Sequence, residues 1–209
     1  MRRAWYRQHS HVIAGVDEVG RGCLAGPVVA ASVVLDASRP ISGLNDSKKL
    51  SASQRNELFE IIRTQALAVG VAQVKSEYID NINILRAAQI AMARAVMKAQ
   101  RSHFGPLMQV LVDGNQRIPL LDNIEQHTII GGDALWEPIM AASIIAKVFR
   151  DRLMEKAAVR YPGYGFERNK GYGTALHIDG LVRLGPCKIH RFTFAPVREA
   201  STRELGSAF

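Results

Sequence analysis

Val12-Ile13-Ala14-Gly15-Val16-Asp17-Glu18-Val19-Gly20-Arg21-Gly22 is the stretch on which the fold turns. Val12 to Val16 is a short apolar run closed by two acids and then by a glycine-rich break. It reads as a buried strand that carries Asp17 to its carboxyl end. Pro27 to Leu35 and Ala66 to Val74 are further strand-like runs, and between them Ser51 to Thr64 has apolar residues at helical spacing behind a Ser51 N-cap. Asn81 to Arg101 sets Ile84, Leu85, Ala88, Ala91, Met92, Ala95 and Val96 on one face, so one long amphipathic helix is expected. Met108 to Val112 and His127 to Ile130 complete five strands. Pro138 to Ala158 is helical, with small residues at Ala141, Ala142 and Ser143 that permit close approach to a sheet. The expected class is α/β: a mixed five-stranded sheet flanked by helices over residues 1–158, with a small basic C-terminal subdomain over 159–209.

Asp17, Asp113 and Asp133 each follow an apolar strand and each stands next to glycine or close to it. Strand ends converge at one edge of an α/β sheet, where binding crevices form. Three carboxylates gathered there repel one another, and a hard divalent cation held through oxygen is the natural partner. Glu18 joins this set only if the strand ends at Asp17, because successive strand side chains point to opposite faces; its backbone carbonyl is the other way it contributes. Each acid also has a plain structural reading. Asp113 in Asp-Gly-Asn suits a turn, and Asp133 ahead of a helix suits an N-cap. Asp36, Asp46, Asp80, Asp122, Asp151 and Asp179 are assigned to caps, turns or solvated faces.

The formal charge of +8, with 27 Lys and Arg against 19 Asp and Glu, favours a polyanionic partner. Lys147 to Arg203 carries most of that excess. Cys23 and Cys187 have neither metal-like spacing nor a disulfide pattern, which fits a reducing, cytoplasmic setting. Met1-Arg2-Arg3 is followed by no unbroken apolar run, so neither signal peptide nor membrane anchor is expected. His127, His177 and His190 lack zinc-ligand spacing and read as structural.

From Val16-Asp17-Glu18-Val19-Gly20-Arg21-Gly22 onward, the chain resembles the ribonuclease HII family. The likeness continues in order through Asn45-Asp46-Ser47-Lys48-Lys49-Leu50, Val112-Asp113-Gly114 and Gly132-Asp133. It runs on through Ala141-Ala142-Ser143-Ile144-Ile145-Ala146-Lys147-Val148 with Arg150-Asp151, then Tyr164-Gly165-Phe166, Lys170-Gly171-Tyr172-Gly173-Thr174 and His190-Arg191. It covers about His11 to Val197. The resemblance implies a ribonuclease H-like fold with a C-terminal helical subdomain. It also implies hydrolysis of RNA in RNA–DNA hybrids and incision 5′ to ribonucleotides embedded in duplex DNA, leaving a 3′-hydroxyl and a 5′-phosphate. The family's four catalytic acids fall on Asp17, Glu18, Asp113 and Asp133.

Such hydrolysis suits two Mg2+ or Mn2+ ions about 3.5–4 Å apart, with Asp17 the best placed to bridge them. By the same resemblance, Gly20, Arg21 and Gly22 together with Tyr172 read the 2′-hydroxyl that separates RNA from DNA. Lys48, Lys49, Lys147 and Lys170 are candidate phosphate contacts, whereas Ser143 is read as a packing residue. Many relatives carry lysine where this chain has Gly131. No sliding-clamp motif is legible in Ser201 to Phe209, and a monomer is expected. The rival readings are another nuclease or transposase on the same fold and a non-enzymatic basic nucleic-acid-binding module. A type 3 relative is less favoured, because no extra N-terminal domain precedes the first strand.

Overall fold

The computed structural model describes residues 12–102 and 109–206. Met1-Arg2-Arg3, the Met108 start of the expected fourth strand and the last three residues of the tail lie outside them. The elements are β1 (Ile13–Val19), β2 (Val28–Val34), α1 (Ala52–Gln65), β3 (Ala68–Val74), α2 (Ser76–Ile82), α3 (Ile84–Ser102), β4 (Gln109–Asp113), β5 (Glu125–Ile129), α4 (Glu137–Arg160), α5 (Phe166–Asn169), α6 (Ala175–Leu184) and α7 (Ala195–Gly206). The strands form one mixed sheet in the order β3-β2-β1-β4-β5, antiparallel between β1 and β2 and parallel between β1 and β4 and between β4 and β5. All five expected strands are present.

Position in the sheet explains each strand's composition. β1 and β2 lie inside it, and apart from the last two residues of β1 every one of their residues is buried, as continuous apolar runs require. β3, at an edge, alternates buried with more exposed residues at the two-residue period. β5, the other edge, has no fully buried residue. Gln126 secures it instead by pairing with both the amide and the carbonyl of Ile118.

The contacts divide the chain into two compact units. One comprises residues 1–19, 29–73 and 88–148; the other comprises 20–28, 74–87 and 149–209. In the first, two glycines let helices meet the sheet. A Cβ on Gly15 of β1 would lie 2.1 Å from the Pro138 carbonyl carbon of α4, and one on Gly70 of β3 would lie 2.0 Å from the Ala95 carbonyl oxygen of α3. Met140, Ile144 and Ile145 of α4 are fully buried, each contributing about 1.5–3 kcal/mol. Ser51 caps α1 through a complete capping box with Gln54.

The helix expected from Asn81 to Arg101 is interrupted. α2 ends at Ile82, Asn83 adopts a left-handed φ of 67°, and α3 starts afresh at Ile84. The Asn83 ψ of 163° lies outside the helical range, so the chain turns there, and its Oδ1 caps the start of α3 by accepting the Arg86 amide.

In the second unit the C-terminal segment is helical. Leu24, Leu181, Val197 and Ala200 form one apolar cluster, and Ala25, Met154, Tyr164 and Phe166 form another. Two arginines are fully buried here. Arg191 donates to the carbonyls of Gly20, Arg21 and Gly26, and Arg150 to those of Ala25, Pro27 and Lys170. Carbonyl oxygens thus satisfy both guanidinium groups.

Candidate active site

The parallel ladder between β1 and β4 stops at Val16↔Val112, whereas the antiparallel ladder between β1 and β2 runs on to Val19↔Val29. Asp17 is therefore the first β1 residue past the shared end with β4, and Asp113 is the last residue of β4 itself. Asp133 stands further from its strand than expected. It lies four residues beyond Ile129, in a 3-10 turn at Gly132–Ala134. That turn is held by Asp113, whose Oδ1 accepts the Gly132 amide at 2.7 Å and the Asp133 amide at 3.4 Å.

The result is convergence. Asp17, Asp113 and Asp133 each offer a carboxylate oxygen, and these oxygens all lie within 4.8 Å of one another. Asp17 and Asp133 are buried, and Asp113 is half-buried. Glu18 is not one of the three. β1 continues through it, so its half-buried side chain follows the alternation of the strand. Its amide donates to Asp17 Oδ1 at 2.7 Å.

Burial, then the charges of Glu18 and Asp113, hold the Asp17 carboxyl well above its ordinary value, against the lowering effect of a hydrogen bond from Ser143. Burial and then Asp133 raise Asp113. The cluster accordingly favours either protons or a cation. One cation is supplied internally: the Lys48 ammonium lies 3.0 Å from Asp133 Oδ2, which raises the lysine's own pKa.

The Asn45–Lys48 segment explains that reach. Asp46 Oδ1 accepts the Lys48 amide, and Asn45 Oδ1 accepts the Asp46 amide, making a tight turn. The turn buries Ser47, whose Oγ lies 2.8 Å from Ser143 Oγ, and leaves Lys48 facing outward. The Ser143 hydroxyl thus touches both Asp17 and Ser47, so it is a polar partner of the site rather than packing alone. The small-residue pattern of α4 concealed this role, since a serine among alanines carries no local sign of what its hydroxyl meets.

Lys49 is exposed, and Lys147 is half-buried on α4. Lys170 has a left-handed φ of 51°, and its ammonium is engaged with Glu155 Oε1 and the Glu167 carbonyl. Gly131 has φ 67° with open space where a Cβ would sit, so its backbone conformation alone accounts for glycine. His127 pairs with Glu125 at the exposed edge strand.

Gly20, Arg21, Gly22 and Tyr172 belong to the second unit. Gly20 is buried at φ 95°, and a Cβ there would strike Arg150 Nε at 2.2 Å. Arg21 and Gly22 are exposed. Gly22 has no left-handed φ, and among the described residues no atom beyond its chain neighbours lies within 4 Å of a notional Cβ. Tyr172 is 41% exposed, with the Arg150 guanidinium 5.9 Å from its ring centroid.

Comparison with known proteins bears directly on this arrangement. The family model described as Ribonuclease HII matches residues 14–197. The chain is 53% identical over 186 residues to Ribonuclease HII of Delftia acidovorans, covering 89% of this chain and 77% of that one. Among solved structures it is similar to ribonuclease H2 from Pyrococcus horikoshii, with a TM-score of 0.73 and 28% identity over 91% of this chain and 97% of that one. It also shares the fold of Bst-RNase HIII in complex with Mn2+, with a TM-score of 0.77 and 18% identity over 96% of this chain and 73% of the other.

Proposed function

This chain belongs to the ribonuclease HII family, and we propose that it hydrolyses its substrate at Asp17, Glu18, Asp113 and Asp133 with two divalent ions, Mg2+ or Mn2+. Its activity is that of a type 2 ribonuclease H, an endoribonuclease acting on RNA paired with DNA. Incision 5′ to a ribonucleotide embedded in duplex DNA, leaving a 3′-hydroxyl and a 5′-phosphate, is the finer reading.

The meeting of the Asp17, Asp113 and Asp133 oxygens within 4.8 Å carries it. The donor set fits the proposed ions: all three ligands are carboxylate oxygens, the donors hard divalent cations take, and crowding already makes the metal-free charges unfavourable. When bound, such ions would activate water and stabilise the leaving oxygen of a phosphodiester.

The protein's own groups do the rest. Asp17, fixed by β1 and the Ser143 hydroxyl, is suited to a shared ligand position. Asp113 uses Oδ1 to hold the Gly132 turn, so Oδ2 is the oxygen left to offer. Lys48 reaches Asp133 through its ammonium, with its side chain 79% accessible, and can exchange Asp133 for a substrate phosphate. Lys147 and Lys170 are further phosphate contacts in this reading, Lys170 on release from Glu155.

Gly22 supports recognition by Gly20-Arg21-Gly22. Among the described residues nothing beyond its chain neighbours approaches a Cβ at that position, so the space it leaves suits a ligand that approaches the backbone closely. Tyr172, exposed on one side, suits the sugar of the ribonucleotide.

The test is product analysis on a duplex with one ribonucleotide in one strand, an all-DNA duplex and an RNA–DNA hybrid, each in Mg2+, Mn2+ and EDTA. Expected are a 3′-hydroxyl product ending just before the ribonucleotide, metal-dependent cutting of the hybrid and no cutting of DNA. Cleavage in EDTA or of all-DNA duplex would indicate another nuclease. Binding without any cleavage would favour a basic binding module.

A further inference from the structure

His177 and His190 are both buried, and their Nε2 atoms lie 3.0 Å apart. Such a contact holds one proton, and their surroundings decide which ring supplies it. The Cys187 amide donates to His190 Nδ1 at 2.9 Å, so that nitrogen offers a lone pair. A proton there would collide with the amide hydrogen. The 3.2 Å approach of Nδ1 to the Cys187 carbonyl is therefore not a hydrogen bond, and that carbonyl already accepts the His190 amide. His190, neutral, carries its proton on Nε2 and donates it to His177 Nε2. His177 must then carry its own proton on Nδ1, which lies 2.9 Å from the Tyr172 carbonyl.

Every donor in the series Cys187 N–H, His190 Nε2–H, His177 Nδ1–H points one way, toward Tyr172. Tyr164 and Phe166 stack on each other and pack their rings against both imidazoles, fixing the ring planes. The Tyr172 carbonyl accepts the Thr174 amide as well, so both its lone pairs are occupied.

We propose that His177 is a positioning residue for Tyr172, with its tautomer imposed by His190, so that this buried imidazole pair sets how sharply the enzyme tells a ribonucleotide from a deoxyribonucleotide. The pair touches no substrate and acts by holding the Tyr172 backbone. The proposal rests on the reading of Tyr172 as the residue that meets the ribose.

Two measurements test it on the full chain. Two-bond proton–nitrogen spectra of the wild-type protein read both tautomers directly. Protons on His190 Nε2 and His177 Nδ1 are expected, and any other pattern overturns the proposal. The second measurement is incision at a single ribonucleotide, alongside affinity for the same duplex in Ca2+. His177→Leu removes the donor to Tyr172 and should lower kcat about ten- to hundredfold, with affinity changed less than about twofold. His177→Asn, whose amide nitrogen stands where Nδ1 stood, should restore most of the loss.

A His177→Leu enzyme at wild-type kcat, or His177→Asn as impaired as His177→Leu, overturns the positioning role. If His177→Leu fails to fold, His190→Gln and His190→Met take its place. Gln can still donate to His177 Nε2 and Met cannot, so only Met should lose kcat, and equal behaviour overturns the proposal. Tyr172→Ala separates the two layers. If that variant incises normally, the reading of Tyr172 falls, and the functional half of this proposal falls with it, while the tautomer spectra still report on the pair.

Discussion

Asp17→Asn should make the metal-free protein more stable while abolishing its activity. Two unit charges within 4.8 Å of each other repel by about 3 kcal/mol or more at an effective dielectric near 20, and Asp17, buried, faces Asp113 and Glu18. Proton uptake relieves part of that repulsion, so a gain of about 1–3 kcal/mol at neutral pH is expected. In a chain of this size it corresponds to about 2–4 °C in Tm per kcal/mol. Asparagine retains an oxygen for the Glu18 amide, and the Ser143 hydroxyl can turn to accept from the new amide nitrogen, so the loss of hydrogen bonding is small beside the charge relieved.

The sign follows from linkage. Asp17 in the folded protein holds its proton more tightly than an ordinary aspartate near 3.8. Wild-type stability is therefore lost as pH rises through that value toward the folded pKa, and the variant's advantage grows from pH 4 to 7. Thermal unfolding in EDTA across that range, repeated with Mn2+, is the assay. Mn2+ should raise wild-type Tm and barely move the variant. An Asp17→Asn protein that melts below wild type in EDTA, gains as much from Mn2+, or cleaves hybrid at a near wild-type rate would refute the reasoning.

Arg191→Met strips the donor from the carbonyls of Gly20, Arg21 and Gly26; each buried carbonyl left alone costs about 1–3 kcal/mol. Urea unfolding should show a loss above about 3 kcal/mol, and a loss under 1 kcal/mol would deny the arginine its structural role. Burial, and then His177, lower the His190 pKa from 6.5 to about 4. Its contribution is thus fully present above pH 6.5 and lost as pH falls toward 4, up to about 3 kcal/mol. His190→Gln should remove that acid sensitivity in urea melts at pH 7 and pH 4.5, and parallel losses in the two proteins would contradict the assignment.

The strands and the three converging aspartates were legible in the sequence because their signals are local. Continuous apolar runs such as Val12–Val16 and Val28–Val34 mark interior strands, and the acids follow such runs at or near their ends. Other features were hidden for physical reasons. Asn83 sits within a helical apolar period, and only its left-handed backbone breaks the helix. Ser47 and Ser143 meet across 96 residues. Arg150 and Arg191 are two more basic residues in a basic segment, yet both are buried, with acceptors that include carbonyls more than a hundred residues earlier. No periodicity records such pairings. The two histidines are likewise ordinary in isolation, and only their rings' mutual approach gives them a direction.

The guanidinium of Arg191 also ties the order of synthesis to the order of assembly. Residues 20–28 leave the ribosome well ahead of Arg191, so the carbonyls of Gly20, Arg21 and Gly26 receive their donor only 165–171 positions later. Contacts that distant are slow to close, because chain entropy is lost before any bond rewards it. Until residue 191 has been made, the segment following Asp17 and Glu18 lacks the donor that shapes it. A nascent chain therefore carries Asp17 and Glu18 long before the loop that follows them in sequence acquires its finished form.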